Sequence, residues 1–257
     1  MRKLIIPVVI LAFMACNNQP TQKATTNVQK SDFGFDNLKG KVETIESKTV
    51  NFDSTGKAKG DSTQSIGAYD NAGNIVKETA KGSSGKTAIN EVTYYANGFS
   101  KEEKTTINGT VQVRVTIDSV VNGQHTGAKI WDSTGKQVGY CDVIYNEYGQ
   151  VTWGKTFYMN GKLQFAWESK FDGSHYIGGS KTDSTGKIVF QDTQKLNDKD
   201  DPAEEQYTTV KEGITTTTNL TYKYDSYDEK SNWTQQITYK NGKLKRIVKR
   251  TITYYKD

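Results

Sequence analysis

The sequence is poor in the residues that carry most acid–base and metal chemistry. Its 257 residues include only two histidines, two cysteines and three prolines. His125 and His175 stand far apart, and no HExxH, CxxC or GxSxG motif occurs. A zinc site or a His-based triad would need these two residues and distant partners. The sequence therefore predicts no metal or cofactor site, and a protein that is not an enzyme.

Apolar residues and an excess of charge of one sign are also scarce. Hydrophobic residues make up 34% of the chain, so apolar side chains are predicted to cover one face of each strand and not both. The formal net charge is only +5. This balance is too mild to indicate nucleic acid as a partner.

The first fifteen residues have the pattern of a targeting segment. Arg2 and Lys3 precede an apolar core over residues 4–14, and Ala15 then precedes Cys16. The pattern resembles a bacterial lipoprotein signal peptide, whose cysteine is lipidated and becomes the first mature residue. The resemblance implies a signal peptide over 1–15, a lipid on Cys16 and a cell-envelope location at the outer membrane. The alternative is a short uncleaved anchor, but the core is shorter than the roughly 20 residues of a membrane span.

A polar linker follows the cysteine. Residues 17–31 contain Pro20 and no aromatic residue, which is typical of a flexible tether. The predicted organisation is therefore a lipidated cysteine and tether over 16–37, followed by one domain over 38–257.

Turn signals recur along the whole of this domain. The stretch from Trp131 to Gly173 holds four of them, separated by short runs of Val, Ile, Tyr, Phe and Trp. The signals are Asp53–Gly56, Asp70–Gly73, Gly82–Gly85, Asn97–Gly98, Asn108–Gly109, Asn122–Gly123, Asp132–Gly135, Asn146–Gly149, Asn160–Gly161, Asp172–Gly173, Asp183–Gly186, a longer loop near 196–205, Glu212–Gly213, Asp228–Ser231 and Asn241–Gly242. They predict about sixteen strands in an antiparallel meander.

Two turn chemistries are mixed in this series. Asn-Gly and Asp-Gly supply positive φ at both central positions of a type I′ turn. Asp-x-x-Gly suits a type I turn, in which the Asp side chain caps the local backbone and Gly takes the left-handed position that follows.

Period-two alternation supports an all-β fold. Val111, Val113, Val115 and Ile117 alternate with polar residues. Such a sheet would leave its apolar face wet if it stayed flat. It is therefore predicted to curl into a barrel or half-barrel, fold into two packed layers or wind as a solenoid, and the pattern does not choose among these.

Several turns resemble known repeats. Tyr69–Asn74, Tyr145–Gln150 and Tyr227–Trp233 are similar to YD (RHS-type) repeats, and Tyr158–Leu163 and Tyr239–Leu244 are similar to MORN-type hairpin repeats. The resemblance implies a repetitive β architecture in an envelope or surface protein. Neither repeat type supplies catalytic residues.

Aromatic residues on the central strands are the best candidate ligand-binding site. The candidates are Trp131, Tyr140, Trp153, Tyr158, Phe165 and Trp167. Exposed rings could stack on sugars. Alternation, however, places Trp153 beside Phe157, and Trp167 beside Phe165, on apolar faces, which favours core packing. Both interpretations are open.

Three weaker candidates depend on charge. Asp142 and Glu168 could form the carboxylate pair of a glycoside hydrolase. The acidic loop 197–205 could offer oxygen ligands to calcium, but it lacks the order and glycine of an EF-hand. The basic run 240–256 suits either anionic headgroups or an edge strand protected by lysine.

The sequence therefore predicts a lipid-anchored envelope protein that acts as a non-enzymatic binding or scaffolding module. Its predicted partners are the membrane, through the lipid, and an apolar ligand, a glycan or an envelope protein. The alternatives are an envelope hydrolase and an integral outer-membrane β-barrel. The polar strand 215–219 and the Cys16 signal argue against the integral barrel.

Overall fold

The computed structural model describes residues 38–95, 100–121, 124–146, 150–173 and 175–256. Cys16, the predicted signal peptide (1–15) and the tether (16–37) lie outside the described residues. Within these ranges the chain forms strands and turns and no helix. The strands are β1 (Val42–Phe52), β2 (Ala58–Tyr69), β3 (Ile75–Lys81), β4 (Thr87–Tyr94), β5 (Ser100–Ile107), β6 (Thr110–Val121), β7 (Gln124–Asp132), β8 (Gln137–Tyr145), β9 (Val151–Tyr158), β10 (Leu163–Asp172), β11 (His175–Asp183), β12 (Ile188–Leu196), β13 (Pro202–Lys211), β14 (Ile214–Tyr227), β15 (Trp233–Lys240) and β16 (Lys243–Tyr254).

The sixteen strands form one closed barrel. Each strand pairs antiparallel with the next, and β1 pairs antiparallel with β16. At this closing pair Val50 lies opposite Ile247, and the hydroxyl oxygens of Thr44 and Thr253 are 2.5 Å apart. The predicted all-β antiparallel meander is confirmed, and of the predicted arrangements the sheet adopts the barrel.

Both predicted turn chemistries are present. Asn108 and Gly109 have φ of 49° and 79°, as a type I′ turn requires. In the first Asp-x-x-Gly turn, Asp53 Oδ1 accepts the N–H groups of Thr55 at 2.8 Å and Lys57 at 3.1 Å, and Gly56 has a φ of 83°. These local hydrogen bonds fix the reversals that the sequence predicts.

Two turns differ from their predicted form. In the turn over 159–162 only Gly161 has positive φ, and its N–H donates to the Tyr158 carbonyl, so this turn belongs to the Asp-x-x-Gly type. The prediction of a longer loop near 196–205 is wrong. Asn197 Oδ1 accepts the N–H of Asp201 at 3.0 Å, Asp200 takes the glycine position with a φ of 66°, and the next strand starts at Pro202.

Closure of the barrel excludes one of the two interpretations of the basic run 240–256, that of an edge strand protected by lysine. Strand β16 is paired with β15 on one side and β1 on the other. Its lysines therefore do not protect a sheet edge, because β1 covers that edge.

Alternation along the strands separates an inner wall from an outer wall. Ile117, Ala128, Cys141 and Thr156 are successive register partners across four strands, and each is buried. Asp142 and Ile144, which have the opposite parity on β8, are exposed, and 56% of the Ile144 surface is accessible. The buried face is the inner wall, and its packed centre consists of Val115, Ile117, Ala128, Cys141 and Val143.

The outer wall carries charge in the middle of the strands. Glu91 on β4 accepts from Lys104 on β5 at 2.8 Å and forms a longer ion pair with Lys77 on β3 at 3.6 Å. On the far side of the barrel Lys195 and Glu204 are 2.8 Å apart. These ion pairs stand in water, because all five side chains are substantially exposed.

The two ends of the barrel use different turn chemistry. Turns that follow odd-numbered strands lie at one end, which we call the lysine rim; it carries the exposed lysines Lys57, Lys86, Lys136, Lys162, Lys187, Lys211 and Lys243. The other end, which we call the terminal rim, holds both ends of the described chain. Where the lysine-rim turns place an exposed lysine after glycine, the terminal rim places buried polar residues. These are Asn74, Gln150, Asp201 and Asn232.

Asn232 shows what these buried residues do. Its side chain accepts the N–H of Lys39 at 2.8 Å and donates to the Lys39 carbonyl at 2.8 Å and to Tyr254 Oη at 2.7 Å. The Tyr254 hydroxyl in turn donates to Asp228. The turn thus ties the start of the described chain to the last strand.

We expect Asn232→Ala to lower the free energy of unfolding by about 1–3 kcal/mol, because it removes a buried amide and leaves partly buried backbone groups of Lys39 without their partner. Lys136→Ala, at the matching position of the lysine rim, should change it by less than about 0.5 kcal/mol, because Lys136 is exposed. Urea denaturation followed by tryptophan fluorescence measures both. Equal stability of the two variants would contradict the difference between the rims.

Candidate functional site

The six predicted aromatic candidates lie on adjacent strands but on different surfaces. Trp131, Tyr140 and Trp153 lie on the outer wall, and Phe165 and Trp167 on the inner wall. Tyr158 ends β9 at the lysine rim and is 51% exposed. The structure therefore does not bring the six together as one platform.

The outer rings are already covered by neighbours. The Arg114 guanidinium carbon lies 4.9 Å from the centroid of the Trp131 ring, and the Lys155 ammonium lies 4.8 Å from that of Trp153. Tyr140 stacks on Phe157 with centroids 5.0 Å apart. Each ring has a cation or a second ring on it, which leaves little face for a sugar.

The inner rings pack differently. Trp167 on β10 lies over Gly154 on β9, its register partner. A Cβ atom added at Gly154 would be only 2.1 Å from Trp167 Cζ2, so the indole uses the space that any side chain would fill. Phe165 lies beside Trp167, with ring centroids 5.9 Å apart. The pairing of Gly154 with Trp167 thus marks the place where a row of aromatic side chains begins on the inner wall.

Lys181 stands in the middle of this wall. Its register partners are Trp167 on one side and Phe190 on the other, and its Nζ is 3.6 Å from the centroid of Phe165. The side chain is half-buried and forms no ion pair within the part of the chain that the structure describes. Burial lowers the pKa of Lys181, because desolvation disfavours the charged ammonium.

The wall continues onto the next two strands. Phe190 on β12 stacks with Tyr207 on β13, with centroids 6.3 Å apart and ring planes 25° apart. We call Phe165, Trp167, Lys181, Phe190 and Tyr207 together the Lys181 site. All five side chains are half-buried, so part of each one borders space and not packed protein.

On the terminal-rim side of the Lys181 site the inner wall becomes polar, and its acids Asp192 and Glu205 are paired with phenols. Tyr176 donates to both carboxylate oxygens of Asp192 at 2.9 and 3.0 Å, and Tyr222 donates to Glu205 at 2.5 Å. Burial raises the pKa of Asp192 and, together with the neighbouring acids, the pKa of Tyr176 and Tyr222. These hydrogen bonds give each acid a phenol partner. Lys181 is the cation that contacts the aromatic side chains of the Lys181 site.

The charged candidates from the sequence do not form an enclosed site. Asp142 and Glu168 are both exposed on the outer wall, on strands separated by β9. Asp201 in the acidic turn is buried and accepts from the Tyr227 hydroxyl at 3.1 Å. Among the described residues, no group of three or more His, Cys, Asp or Glu side chains is placed to hold a metal ion.

A depression of about 350 Å³ lies over β12, β13 and β14. Its lining includes Lys195 and Glu204, which already form an ion pair. The lining is largely polar, so this depression is a poorer place for an apolar ligand than the Lys181 site.

Comparisons with known proteins support the fold. A porin-like protein from Bacteroides uniformis ATCC 8492 is similar to this chain with a TM-score of 0.57 at 12% sequence identity, over 84% of this chain and 98% of that one. This likeness concerns the barrel fold alone. No protein-family model matches the chain, and no curated protein matches it.

Two further similarities are too weak to bear on the fold. A DUF1329 family protein from Desulfovibrio piger ATCC 29098 has a TM-score of 0.27 at 10% identity, over 83% of this chain and 86% of that one. The Tc holotoxin pore of Photorhabdus luminescens has a TM-score of 0.19 at 9% identity, over 75% of this chain and 16% of that one.

The resemblance to YD and MORN repeats stays a prediction. In the described ranges there is no helix of the length and apolarity needed to cross a membrane.

We expect Gly154→Ala to destabilise the barrel by about 1–3 kcal/mol, because the added methyl group collides with the Trp167 indole. Gly60→Ala is the control, since nothing lies within 4 Å of a Cβ there. Thermal unfolding followed by near-ultraviolet circular dichroism reports both the stability and the tryptophan environment. Identical melting curves for the two variants would contradict the packing of Trp167 on Gly154.

Cys141 should be inert in the folded protein. It is 2% exposed, and burial raises the pKa of its thiol to about 12. Because the thiolate is the nucleophile, we expect the Cys16→Ser chain to react with Ellman's reagent at pH 8 only after denaturation. Rapid reaction of the native chain would show that the inner wall at Cys141 is open.

Proposed function

We propose that the protein is a lipid-anchored envelope protein whose barrel binds a small anionic amphiphile at the Lys181 site without acting as an enzyme. The observation that carries the proposal is the Lys181 ammonium, half-buried against an aromatic wall without a carboxylate partner in the described chain.

The charge of the ligand follows from the environment of Lys181. A half-buried ammonium loses part of its hydration, and the contact with the Phe165 ring restores only some of that free energy. A carboxylate or phosphate of the ligand would supply the missing partner. A neutral ligand would leave the ammonium as it is.

The apolar part of the ligand follows from the rings. Trp167, Phe165 and Phe190 surround the ammonium and are only half-buried, so they offer apolar surface that a ligand could remove from water. A few polar groups set among aromatic residues are typical of small-molecule sites. An anion with an acyl chain or a flat ring meets both demands.

The lysine rim gives such a ligand a route. Phe165 and Lys181 lie within a few residues of the exposed turns over 159–162 and 184–187. The lysines of this rim create a positive field that attracts anions toward the mouth of the barrel. The site is therefore close to the end through which an anionic ligand would be drawn.

The charges on the outer wall favour a barrel tethered to a membrane over a barrel inserted into a bilayer. Lipid-facing strands carry an apolar band, whereas Lys77, Glu91 and Lys104 occupy the middle of this wall. Together with the Cys16 signal, this favours a water-exposed barrel held at the outer membrane by its lipid. The carboxylates of the hydrolase alternative, Asp142 and Glu168, are exposed on the outer wall and do not form an enclosed pair.

We expect Lys181→Met to weaken the binding of dodecanoate by roughly 30-fold or more, because it removes the ammonium and keeps the apolar stem. Lys170→Met, at an exposed position of the neighbouring strand β10, is the matched control and should bind normally. Isothermal titration calorimetry at pH 7 measures the affinities, with dodecanol as the uncharged analogue. Equal affinity of the Lys181→Met and Lys170→Met chains, or no binding of dodecanoate at all, would contradict the proposal.

Binding should also depend on pH in a defined direction. The pKa of free Lys181 lies below its ordinary value of 10.5, and a bound anion raises it. Affinity is therefore full below the pKa of the free lysine and falls as the pH rises through that value. Titrations across alkaline pH check this, and a flat profile that ends only where the barrel unfolds would argue against an ionic contact.

A further inference from the structure

The lysine rim concentrates exposed positive charge on one end of the barrel. An exposed lysine lies in or beside seven of its turns, at Lys57, Lys86, Lys136, Lys162, Lys187, Lys211 and Lys243. The carboxylates of this rim are Asp53, Asp132, Asp183 and Glu212. Hydrogen bonds from the threonine two residues on lower the pKa of the three aspartates, so they stay charged and must be counted. Even so, positive charge is in excess.

The same rim carries most of the exposed apolar side chains. Of the large hydrophobic residues that are exposed within the described ranges, Ile66 and Ile144 lie along the outer wall, and the others lie at this rim. The rim residues are Val138, Tyr158, Met159, Ile188 and Ile214, with exposures of 36–69%. Water-exposed side chains of this size, grouped at one end, are typical of an interaction surface.

The apolar residues and the lysines share the same turns. Met159 and Lys162 share the turn between β9 and β10. Ile188 directly follows Lys187 at the end of the turn between β11 and β12, and Lys211 and Ile214 flank the turn between β13 and β14. Because these turns are neighbours around the barrel, they form one continuous arc. Apolar tips beside basic residues are the combination found in segments that lie on anionic membranes.

The described turns of the terminal rim do not combine exposed lysines with exposed large apolar side chains. They contain the acids Asp70, Asp172, Asp198, Asp200, Asp201, Asp228 and Glu229 and the lysines Lys199 and Lys230, so acids outnumber lysines there. Its apolar residues are packed, as shown by Val42, Tyr69 and Trp233, each less than 9% exposed. Among the described residues, the excess of lysine and the exposed apolar side chains thus coincide at the lysine rim.

We propose that the lysine rim docks onto an anionic lipid surface, with the lysines contacting headgroup phosphates and Met159, Ile188 and Ile214 entering the headgroup layer. The turns of the lysine rim share one end of the barrel, so a planar bilayer can contact neighbouring turns together. The phosphates of the bilayer complement the excess of lysine. The proposal requires neither the Lys181 site nor a lipid on Cys16.

Vesicle co-sedimentation of the full chain carrying Cys16→Ser tests the charge contact. Phosphatidylcholine vesicles with and without phosphatidylglycerol are compared, so any binding by the N-terminal apolar segment is the same for every variant. The rim variant is Lys136→Gln/Lys162→Gln/Lys187→Gln. The control, Lys48→Gln/Lys170→Gln/Lys249→Gln, removes the same charge from exposed positions of the outer wall.

We expect phosphatidylglycerol to increase binding of the parent chain and the control, and this increase to fall about tenfold or more in the rim variant. The increase should also shrink as salt is added, because the contact is ionic. Equal binding of the two variants, or no effect of phosphatidylglycerol on the parent chain, would overturn the proposal and leave an anionic polymer or protein as the partner.

A second measurement reports orientation. A polarity-sensitive thiol dye is attached at Met159→Cys on the lysine rim or at Ala72→Cys on the terminal rim, both exposed turn positions in the Cys16→Ser chain. Cys141 is buried and should not react. We expect phosphatidylglycerol vesicles to shift the emission to the blue at position 159 and not at position 72. An equal shift at both positions, or none at 159, would overturn the proposed docking.

Discussion

The hydrogen-bonded pairing of β1 with β16 is the interaction on which the other features depend. Because the sheet has no free edge, each strand residue faces either the inner or the outer wall, and the period-two pattern becomes a division between two environments. The Lys181 site and the phenol-paired acids Asp192 and Glu205 lie on the inner wall. The outer wall carries the Lys77–Glu91–Lys104 ion pairs. An even number of strands also brings both ends of the described chain to the same rim.

Turn chemistry then makes the two rims different. The turns at both rims share the Asx hydrogen bonds, so one local geometry serves both. The difference lies in the residue after the left-handed position, which is exposed Lys57 or Lys136 at one end and buried Asn74 or Asn232 at the other. In these described hairpins, one side chain is thus exposed at the lysine rim and buried at the terminal rim, and this difference distinguishes the two ends. Ligand entry and membrane docking, as proposed, both use the solvated end.

Sequence reasoning succeeded where the physics is local. Strands and turns could be predicted because β propensity, alternation and left-handed positions act within a few residues. The division of Trp153 and Trp167 between the two walls could not be predicted, because each has apolar neighbours at period two. Their faces depend on closure and on bulges such as the one between Leu163 and Phe165. Lys181 gave no sequence signal for the same reason, since its aromatic neighbours lie on other strands. The tight turn at Asn197 was missed because Asp200 replaces the expected glycine.

The central claim is that the barrel presents a polar outer wall to water and is not inserted into a bilayer. Phase partitioning in Triton X-114 of a chain comprising residues 17–257 tests it most directly. The outer-wall charges predict that this chain, expressed without its signal and cysteine, stays in the aqueous phase as a folded β protein. Recovery of folded protein in the detergent phase would contradict the account, because it would mean that the outer wall itself is covered by lipid.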